Sequence, residues 1–205
     1  MFQTLRNAWK IVDLRKKILY TLVIILIFRI GSAITVPFVD GSVLTGSTTN
    51  EFMQLLTLMS GGGFSDASIF ALSITPYINA SIIIQLLTVA IPALERLAQD
   101  GESGRKKLGQ ITRYTTVGLG LMLGVAYYFM VRNQGALVSE AKSGAAGWFA
   151  GAVIVLCFTA GSAMMMWLGE QINAKGIGNG ISILLFAGIL SRLPTGLVYL
   201  WNMFT

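Results

Sequence analysis

Five stretches of this sequence are apolar and long enough to cross a lipid bilayer as helices, and they constrain the fold more than any other feature. A helix needs roughly 20 predominantly apolar residues to span the hydrocarbon core. The candidate spans are residues 18–38, 69–91, 114–131, 148–168 and 181–203. With 54% hydrophobic and 12% charged residues, the chain has too much apolar surface for a soluble domain. The sequence predicts an all-α polytopic membrane protein with five transmembrane helices.

Three of the candidate spans are interrupted. The first contains Arg29, the second follows three glycines and a half-apolar approach at residues 60–68, and the fifth contains Ser191, Arg192 and Pro194. A guanidinium group inside a span needs the bundle interior, a carbonyl cluster or a path to the interface. Arg29 could equally lie near the outer interface through helix tilt, so its role stays open. A proline in a span requires neighbours that satisfy the freed backbone groups.

Basic residues cluster in the loops on one side of the predicted bundle. They are concentrated at residues 6–17 and 96–113, whereas residues 39–68 contain no Lys or Arg. Cytoplasmic loops carry the excess of Lys and Arg, so we expect the amino terminus in the cytoplasm and the carboxyl end outside. The net charge of +6 then indicates topology and contact with anionic lipid headgroups, and we expect no sequence-specific nucleic-acid binding.

The basic and then apolar start has two further interpretations. It could be a cleaved signal peptide, although Arg29 and four further spans argue against this. Residues 5–17 (LRNAWKIVDLRKK) could also form an interfacial helix that anchors the first span.

The sequence lacks the residues that several kinds of catalytic and binding site require. The chain has no histidine and one cysteine, Cys157, which excludes a Ser-His-Asp triad, a histidine-ligated metal site and an internal disulfide. No carboxylate lies clearly inside a predicted span, which argues against an ion-coupled pump. We therefore expect no enzyme, no cofactor and no metal site. Glycine pairs at 120 and 124 and at 147 and 151 predict close helix packing.

Two long motifs carry a family resemblance. Residues 68–87 (SIFALSITPYINASIIIQLL) and 166–189 (MWLGEQINAKGIGNGISILLFAGI) resemble the second-span and fourth-to-fifth-loop signatures of the SecY family, the central subunit of the bacterial protein-conducting channel. The stretches FRIGSAITVPFVD and GESGRKKLGQITRYTT match in character and order. Three features depart from the family pattern: Ser73 replaces a usual glycine, Asn79 replaces a smaller Ser or Thr, and AITVPF lacks the first proline.

The resemblance implies a fold and a function. Family members have twice this number of spans, so the chain looks like the amino-terminal half, a truncation or an assembly intermediate. An odd number of spans fits one half of an inverted-repeat clamshell with a pathway at its interface. The implied function is to pass unfolded secretory chains across the bacterial plasma membrane and to release hydrophobic segments laterally into it. The alternatives are half of an inverted-repeat small-solute transporter or channel, and a scaffold that acts only in assembly.

The resemblance also implies partners. They are SecE, SecG, SecA, the ribosome and the nascent polypeptide, together with the lipid bilayer. For this chain alone, we expect association with the missing carboxyl-terminal half, a SecE-like subunit or an insertion chaperone.

Three groups of functional residues follow from the resemblance. Residues 61–70 would form a re-entrant plug helix, and Asn79 would lie at a lateral gate. The pore ring would comprise Ile74, Ile78, Ile181 and Leu185. The plug and its hinge would comprise Gly61, Gly62, Gly63, Phe64, Ile69 and Phe70. Without the resemblance, the same glycines could simply end a loop and the same aliphatic stripes could serve helix packing.

Overall fold

The described part of the chain consists of helices, with longer non-helical stretches at residues 34–40 and 60–74. A computed structural model describes residues 11–46, 57, 60–138 and 144–204. The helices in these residues are α1 (Val12–Ala33), α2 (Gly41–Gly46), α3 (Thr75–Ala90), α4 (Pro92–Gln99), α5 (Gly101–Asn133), α6 (Gly144–Lys175) and α7 (Gly180–Phe204). The predicted all-α class agrees with this architecture. Residues 5–10 of the proposed interfacial helix at residues 5–17 lie outside the described residues, and residues 12–17 form the beginning of α1.

Two helices are long and apolar enough to cross a membrane. They are α5 and, within α6, Gly147–Lys175, and they contain the third and fourth predicted spans. A third candidate arises if α3 and α4 are taken together, although they are bent by 102° at the break between them. For the described residues, length and composition therefore support two or three spans, and the five-span bundle remains a proposal.

The first predicted span, residues 18–38, extends five residues beyond the end of the helix found there. Helix α1 ends at Ala33, and the chain then turns at Pro37 and Phe38, where the proline has no N–H for a further helical turn. The Val36 N–H donates to the carbonyl of Ala67 (2.9 Å), and the Asp40 N–H donates to the carbonyl of Ala136 (2.8 Å). These long-range backbone bonds replace the helical ones, so the helical part of this span is shorter than expected.

The second predicted span, residues 69–91, also begins later than expected. Helix α3 starts at Thr75, and residues 60–74, here called the turn segment, form consecutive turns. The re-entrant helix expected at residues 61–70 is therefore absent from this structure. Gly61, Gly62, Ala67 and Ser73 have positive φ angles (64°, 96°, 48° and 52°), which no right-handed helix permits.

The interruption in the fifth predicted span does not end its helix. Helix α7 continues through Pro194 to Phe204. Ser191, three residues before the proline, donates its hydroxyl hydrogen to the carbonyl of Gly188 at 2.6 Å. Pro194 is thus an internal residue of one helix.

The helices enclose two clusters of buried residues. The central cluster lies among α1, α3, α6, α7 and the turn segment. It comprises Ile24, Phe28, Phe70, Ile74, Met165, Leu168, Ile172, Leu184 and Ala187. The distal cluster lies among α5, α6 and the turns. It comprises Val36, Leu44, Phe64, Ala67, Ala71, Leu72, Tyr127, Val131, Ala136, Leu137, Ile154 and Phe158. Residues of the turn segment belong to both clusters, so this segment lies inside the fold.

Glycines allow α5 and α6 to approach each other closely, as the sequence predicted. A Cβ atom added at Gly124 would lie 3.3 Å from the carbonyl oxygen of Val155, and one at Gly120 would meet the hydroxyl of Ser162. On α6, Gly151 lies against the ring of Tyr128. These contacts leave no room for larger residues, which explains the small-residue spacing.

Candidate functional site

The four residues expected to form a pore ring meet at the central cluster. Ile74 precedes the first turn of α3 and is only 1% exposed. Ile78, Ile181 and Leu185 pack against the same cluster and keep part of their surface exposed. The structure therefore brings the four side chains to one apolar region, with Ile74 as its covered member.

The centre of this region is a glycine on α6. A Cβ atom at Gly169 would lie 3.5 Å from Cδ1 of Ile74, 3.8 Å from Cγ1 of Ile181 and 3.8 Å from Cδ1 of Leu184. The next helix comes closer still, because a Cβ at Gly180 would lie 2.9 Å from the carbonyl carbon of Gly169. Side chains from α3 and α7 thus converge on a groove in α6 that only glycine leaves open.

Asn79, expected at a lateral gate, lies beside this region on α3. Its side chain is exposed and makes no hydrogen bond with any other described residue. An exposed amide on a largely apolar helix is available to a partner across an interface.

The turn segment is anchored to α5 through Tyr127. The Tyr127 hydroxyl donates to the main-chain carbonyl of Phe64 at 2.5 Å, and both groups are buried. The two rings meet edge to face with centroids 4.9 Å apart, and Phe158 of α6 packs on the other side of Tyr127 at 4.5 Å. A buried carbonyl is costly to leave unpaired, so this bond fixes the position of the segment.

A second contact joins the turn segment to α7. Arg192 Nη2 lies 3.5 Å from Oδ2 of Asp66. The guanidinium group also lies over Gly62, in the space that a Cβ atom of that residue would occupy. Gly61 approaches α7 through its backbone, since a Cβ there would be 2.9 Å from the carbonyl oxygen of Gly188. The glycines therefore allow a close fit against α7.

Phe70 packs the end of the turn segment against α1. Its ring stacks on Phe28 with centroids 6.0 Å apart, and it lies directly over Gly31. The Ile69 N–H donates to the carbonyl of Ile34 at 3.0 Å. On α6, a Cβ at Gly161 would lie 2.9 Å from the carbonyl carbon of Ile69. All the predicted plug and hinge residues thus lie in one packed segment.

The opposite end of α6 carries a polar network. Arg113 of α5 binds Glu170 with two contacts, Nε to Oε1 at 2.9 Å and Nη2 to Oε2 at 2.8 Å. Tyr20 donates its hydroxyl hydrogen to Oε1 of Gln171 at 3.0 Å. The Gly180 N–H donates to Oδ1 of Asn173 at 2.7 Å, which closes the link between α6 and α7. This end of the bundle is held by side chains of three helices.

Sequence reasoning missed the pairing of Asp66 with Arg192 and the bond from Tyr127 to Phe64. One signal was available for the first, because an acidic and a basic residue isolated among apolar neighbours tend to pair. No sequence signal identifies Phe64 as the partner of Tyr127. Among the described residues, no group of three or more potential ligands could hold a metal ion.

Comparison with known proteins assigns the family. A family profile described as SecY matches residues 68–205, which is more than half of the chain. The chain belongs to the SecY family. Both motifs, at residues 68–87 and 166–189, fall inside the matched range, as do all of α3 and residues 68–74 of the turn segment.

Curated SecY relatives match almost the whole chain. The protein translocase subunit SecY of Bacillus subtilis (strain 168) is 45% identical over 197 residues, covering 95% of this chain and 44% of the relative. The corresponding subunit of Corynebacterium glutamicum is 43% identical over 197 residues, covering 92% of this chain and 45% of the relative. The chain therefore spans slightly less than half the length of these relatives. Their names describe a translocase subunit, consistent with the expectation that this SecY-family chain is not an enzyme.

Two solved structures share the fold. One is described as the structure of a protein conducting channel, with a TM-score of 0.63, 21% identity and coverage of 92% of this chain and 40% of that chain. The other is Sec61 in the canine ribosome–channel complex from the endoplasmic reticulum, with the same TM-score, identity and coverage. At this level of identity the likeness shows the fold alone.

Proposed function

We propose that this chain forms one half of a SecY-type protein translocation channel in the bacterial plasma membrane. In this function, unfolded secretory chains cross the membrane beside the central cluster, and hydrophobic segments leave laterally into lipid. The observation that carries the proposal is the convergence of Ile74 and Ile181 on Gly169 within one apolar cluster. In a translocase subunit, such a cluster of aliphatic side chains can form an apolar constriction.

The apolar region suits a collar around a passing chain. Ile78, Ile181 and Leu185 retain exposed surface, and Ile74 lies behind them with Phe70 in the same cluster. Branched aliphatic side chains exclude water and ions without binding a polar passenger. The complementary half of the collar would come from a second set of spans facing this one, as an inverted repeat requires.

The part of the turn segment at residues 61–70 is the proposed plug. It occupies the space among α1, α5, α6 and α7, and it is connected to α3 through Ile74. Non-helical backbone is tolerated at membrane depth only where it is buried in protein or lines a cavity. Displacement of residues 61–70 would expose Ile74 to the pathway, because Phe70 moves with them. Asn79 would then lie at the proposed lateral gate, where its free amide can bond across the closed interface.

Membrane placement follows from aromatic residues on α6. Trp148 and Trp167 are 86% and 53% exposed. They are about 28 Å apart along the helix at 1.5 Å per residue, close to the thickness of a hydrocarbon core. Tryptophan prefers both membrane interfaces. We infer that α6 crosses the bilayer between them, with the Glu170 end in the cytoplasm.

The partners proposed for this chain are those of a translocase. SecE, SecG, SecA and the ribosome would act on the complete channel, and the nascent polypeptide would be its substrate. The exposed apolar residues of α1, among them Leu22, Leu26 and Ile30, require lipid or protein contact. We propose that they bind lipid or neighbouring subunits.

Disulfide trapping tests the proposed path of the secretory polypeptide. The experiment uses a full-length channel that contains this chain as one half, with Cys157 replaced by serine. A cysteine at Ile78 is expected to crosslink to a cysteine in a stalled secretory polypeptide. Met122 is 68% exposed on α5, which contributes no residue to the central cluster, so Met122→Cys is the matched control. Equal crosslinking at both positions, or none at Ile78, would overturn the proposed path.

A further inference from the structure

The turn segment contains two strained backbone positions. Ala67 and Ser73 are not glycines, yet their φ angles are +48° and +52°. Residues with a Cβ atom find this left-handed region unfavourable, and they persist there only when surrounding contacts hold them. Both residues are buried, with exposed fractions of 0% and 5%. The segment is thus in a conformation that its own sequence disfavours.

Two contacts from different helices oppose this strain. Tyr127 of α5 donates to the carbonyl of Phe64, three residues before Ala67. Arg192 of α7 pairs with Asp66, the residue immediately before Ala67. Asp66 is itself positioned by Ser65, whose hydroxyl lies 3.2 Å from Oδ1 of Asp66 and 2.9 Å from the carbonyl of Gly62. Both contacts hold the chain within the three residues that precede the strained Ala67.

The fit of Arg192 depends on the glycines. Gly62 has a φ of +96°, and its missing side chain leaves the space that the guanidinium group fills. Any Cβ at this position would push Arg192 away from Asp66. The glycine run therefore serves as a seat for a charged side chain as well as a flexible turn.

We propose that Tyr127 and Arg192 are positioning residues that latch the turn segment closed against the strain at Ala67 and Ser73. This inference rests on the proposed plug function. Release of the latch lets Ala67 and Ser73 relax, so the strain favours displacement. The segment is then a two-state element. In its closed state these two side-chain contacts add to the backbone hydrogen bonds from Val36 to Ala67 and from Ile69 to Ile34.

The two contacts contribute unequally. Asp66 and Arg192 are partly exposed (53% and 32%), and exposed ion pairs contribute little. We expect Arg192→Gln to raise the resting open probability by about two- to fivefold. Loss of the Tyr127 hydroxyl leaves the buried carbonyl of Phe64 unpaired, so Tyr127→Phe is expected to raise the resting open probability by about tenfold. The phenylalanine ring keeps the contacts with Phe64 and Phe158.

Strain relief is expected to act in the opposite direction. Ser73→Gly removes the Cβ that makes the left-handed conformation unfavourable, so it should lower the raised conductance of an Arg192→Gln channel. Ser73→Ala removes the hydroxyl but keeps the Cβ, and it should leave that conductance unchanged. General destabilisation of the fold would not make Arg192→Gln raise the resting conductance and Ser73→Gly lower it again, so these opposite effects identify the latch.

Planar-bilayer conductance of purified full-length channels tests the latch, with deletion of residues 62–70 as the reference. We expect the deletion, Arg192→Gln and Tyr127→Phe all to raise resting conductance. Asp66→Asn combined with Arg192→Gln should have no more effect than either change alone. Two results would contradict the latch without contradicting the plug. One is an additive effect of Asp66→Asn and Arg192→Gln. The other is wild-type conductance in both Arg192→Gln and Tyr127→Phe channels while the deletion raises conductance. If the deletion itself does not leak, the plug proposal fails and the latch falls with it.

Discussion

Arg29 donates a hydrogen bond from Nη2 to the main-chain carbonyl of Ala187 over 2.8 Å, joining the C-terminal part of α1 to α7. Its guanidinium carbon also lies 5.5 Å from the ring centroid of Phe28. The sequence left the role of this charge open between a carbonyl partner, a path to the interface and helix tilt. The carbonyl partner is present, so the charge holds two helices of the same half together.

Replacement of Arg29 should weaken the contact between α1 and α7. We expect Arg29→Met to lower the stability of the full-length channel by about 1 kcal/mol, since a hydrogen bond to a charged group is lost while the burial cost of the charge is relieved. Thermal unfolding in detergent measures the change. Arg15 is exposed on the same helix, so Arg15→Ala is the control. Equal stability of the two variants would show that the bond to Ala187 contributes nothing.

Gly161 should tolerate no side chain, because it faces backbone. A Cβ there would lie 2.9 Å from the carbonyl carbon of Ile69 and even closer to its oxygen, and a main-chain carbonyl cannot move aside as a flexible side chain can. We expect Gly161→Ala to lower stability by about 1–3 kcal/mol. Gly118→Ala is the matched control, since that glycine lies in α5 with nothing within 4 Å of its added Cβ. Similar melting temperatures for the two variants would refute the close approach.

The proposed orientation predicts which residues face the outside of the cell. In a full-length channel with Cys157 replaced by serine, a cysteine at Asn133 should react with an impermeant thiol reagent added to intact cells. A cysteine at Ser103 should react only after the cells are opened. Both positions are exposed at opposite ends of α5. Labelling of Ser103 in sealed cells would reverse the topology.

The length of the apolar runs predicted the helices well where those runs are uninterrupted. Helices α5 and α6 contain the third and fourth predicted spans because their apolar runs are uninterrupted. The glycine at position 120 indicated the contact with α6 correctly, since small residues report close approach.

The turn segment could not be predicted in the same way. Its conformation depends on partners far away in sequence: Ile34, Val36 and Tyr127 all bond to its backbone. The sequence at residues 69–74 is apolar and reads as the start of a helix, yet Ser73 adopts a left-handed φ. Tertiary contacts override local propensity there, which also explains why the expected short helix is absent.

Water exclusion by the apolar collar is the central physical claim of the proposed function. The measurement that tests it most directly is the conductance of purified full-length channels in planar bilayers, at rest and with a polypeptide in transit. We expect Ile78→Gly to raise conductance during transit, because a wider apolar constriction no longer seals around the passenger. Ile83→Gly, on another face of α3, should match the wild type and controls for the loss of helix propensity. Conductance at the wild-type level in Ile78→Gly channels under both conditions would contradict the collar.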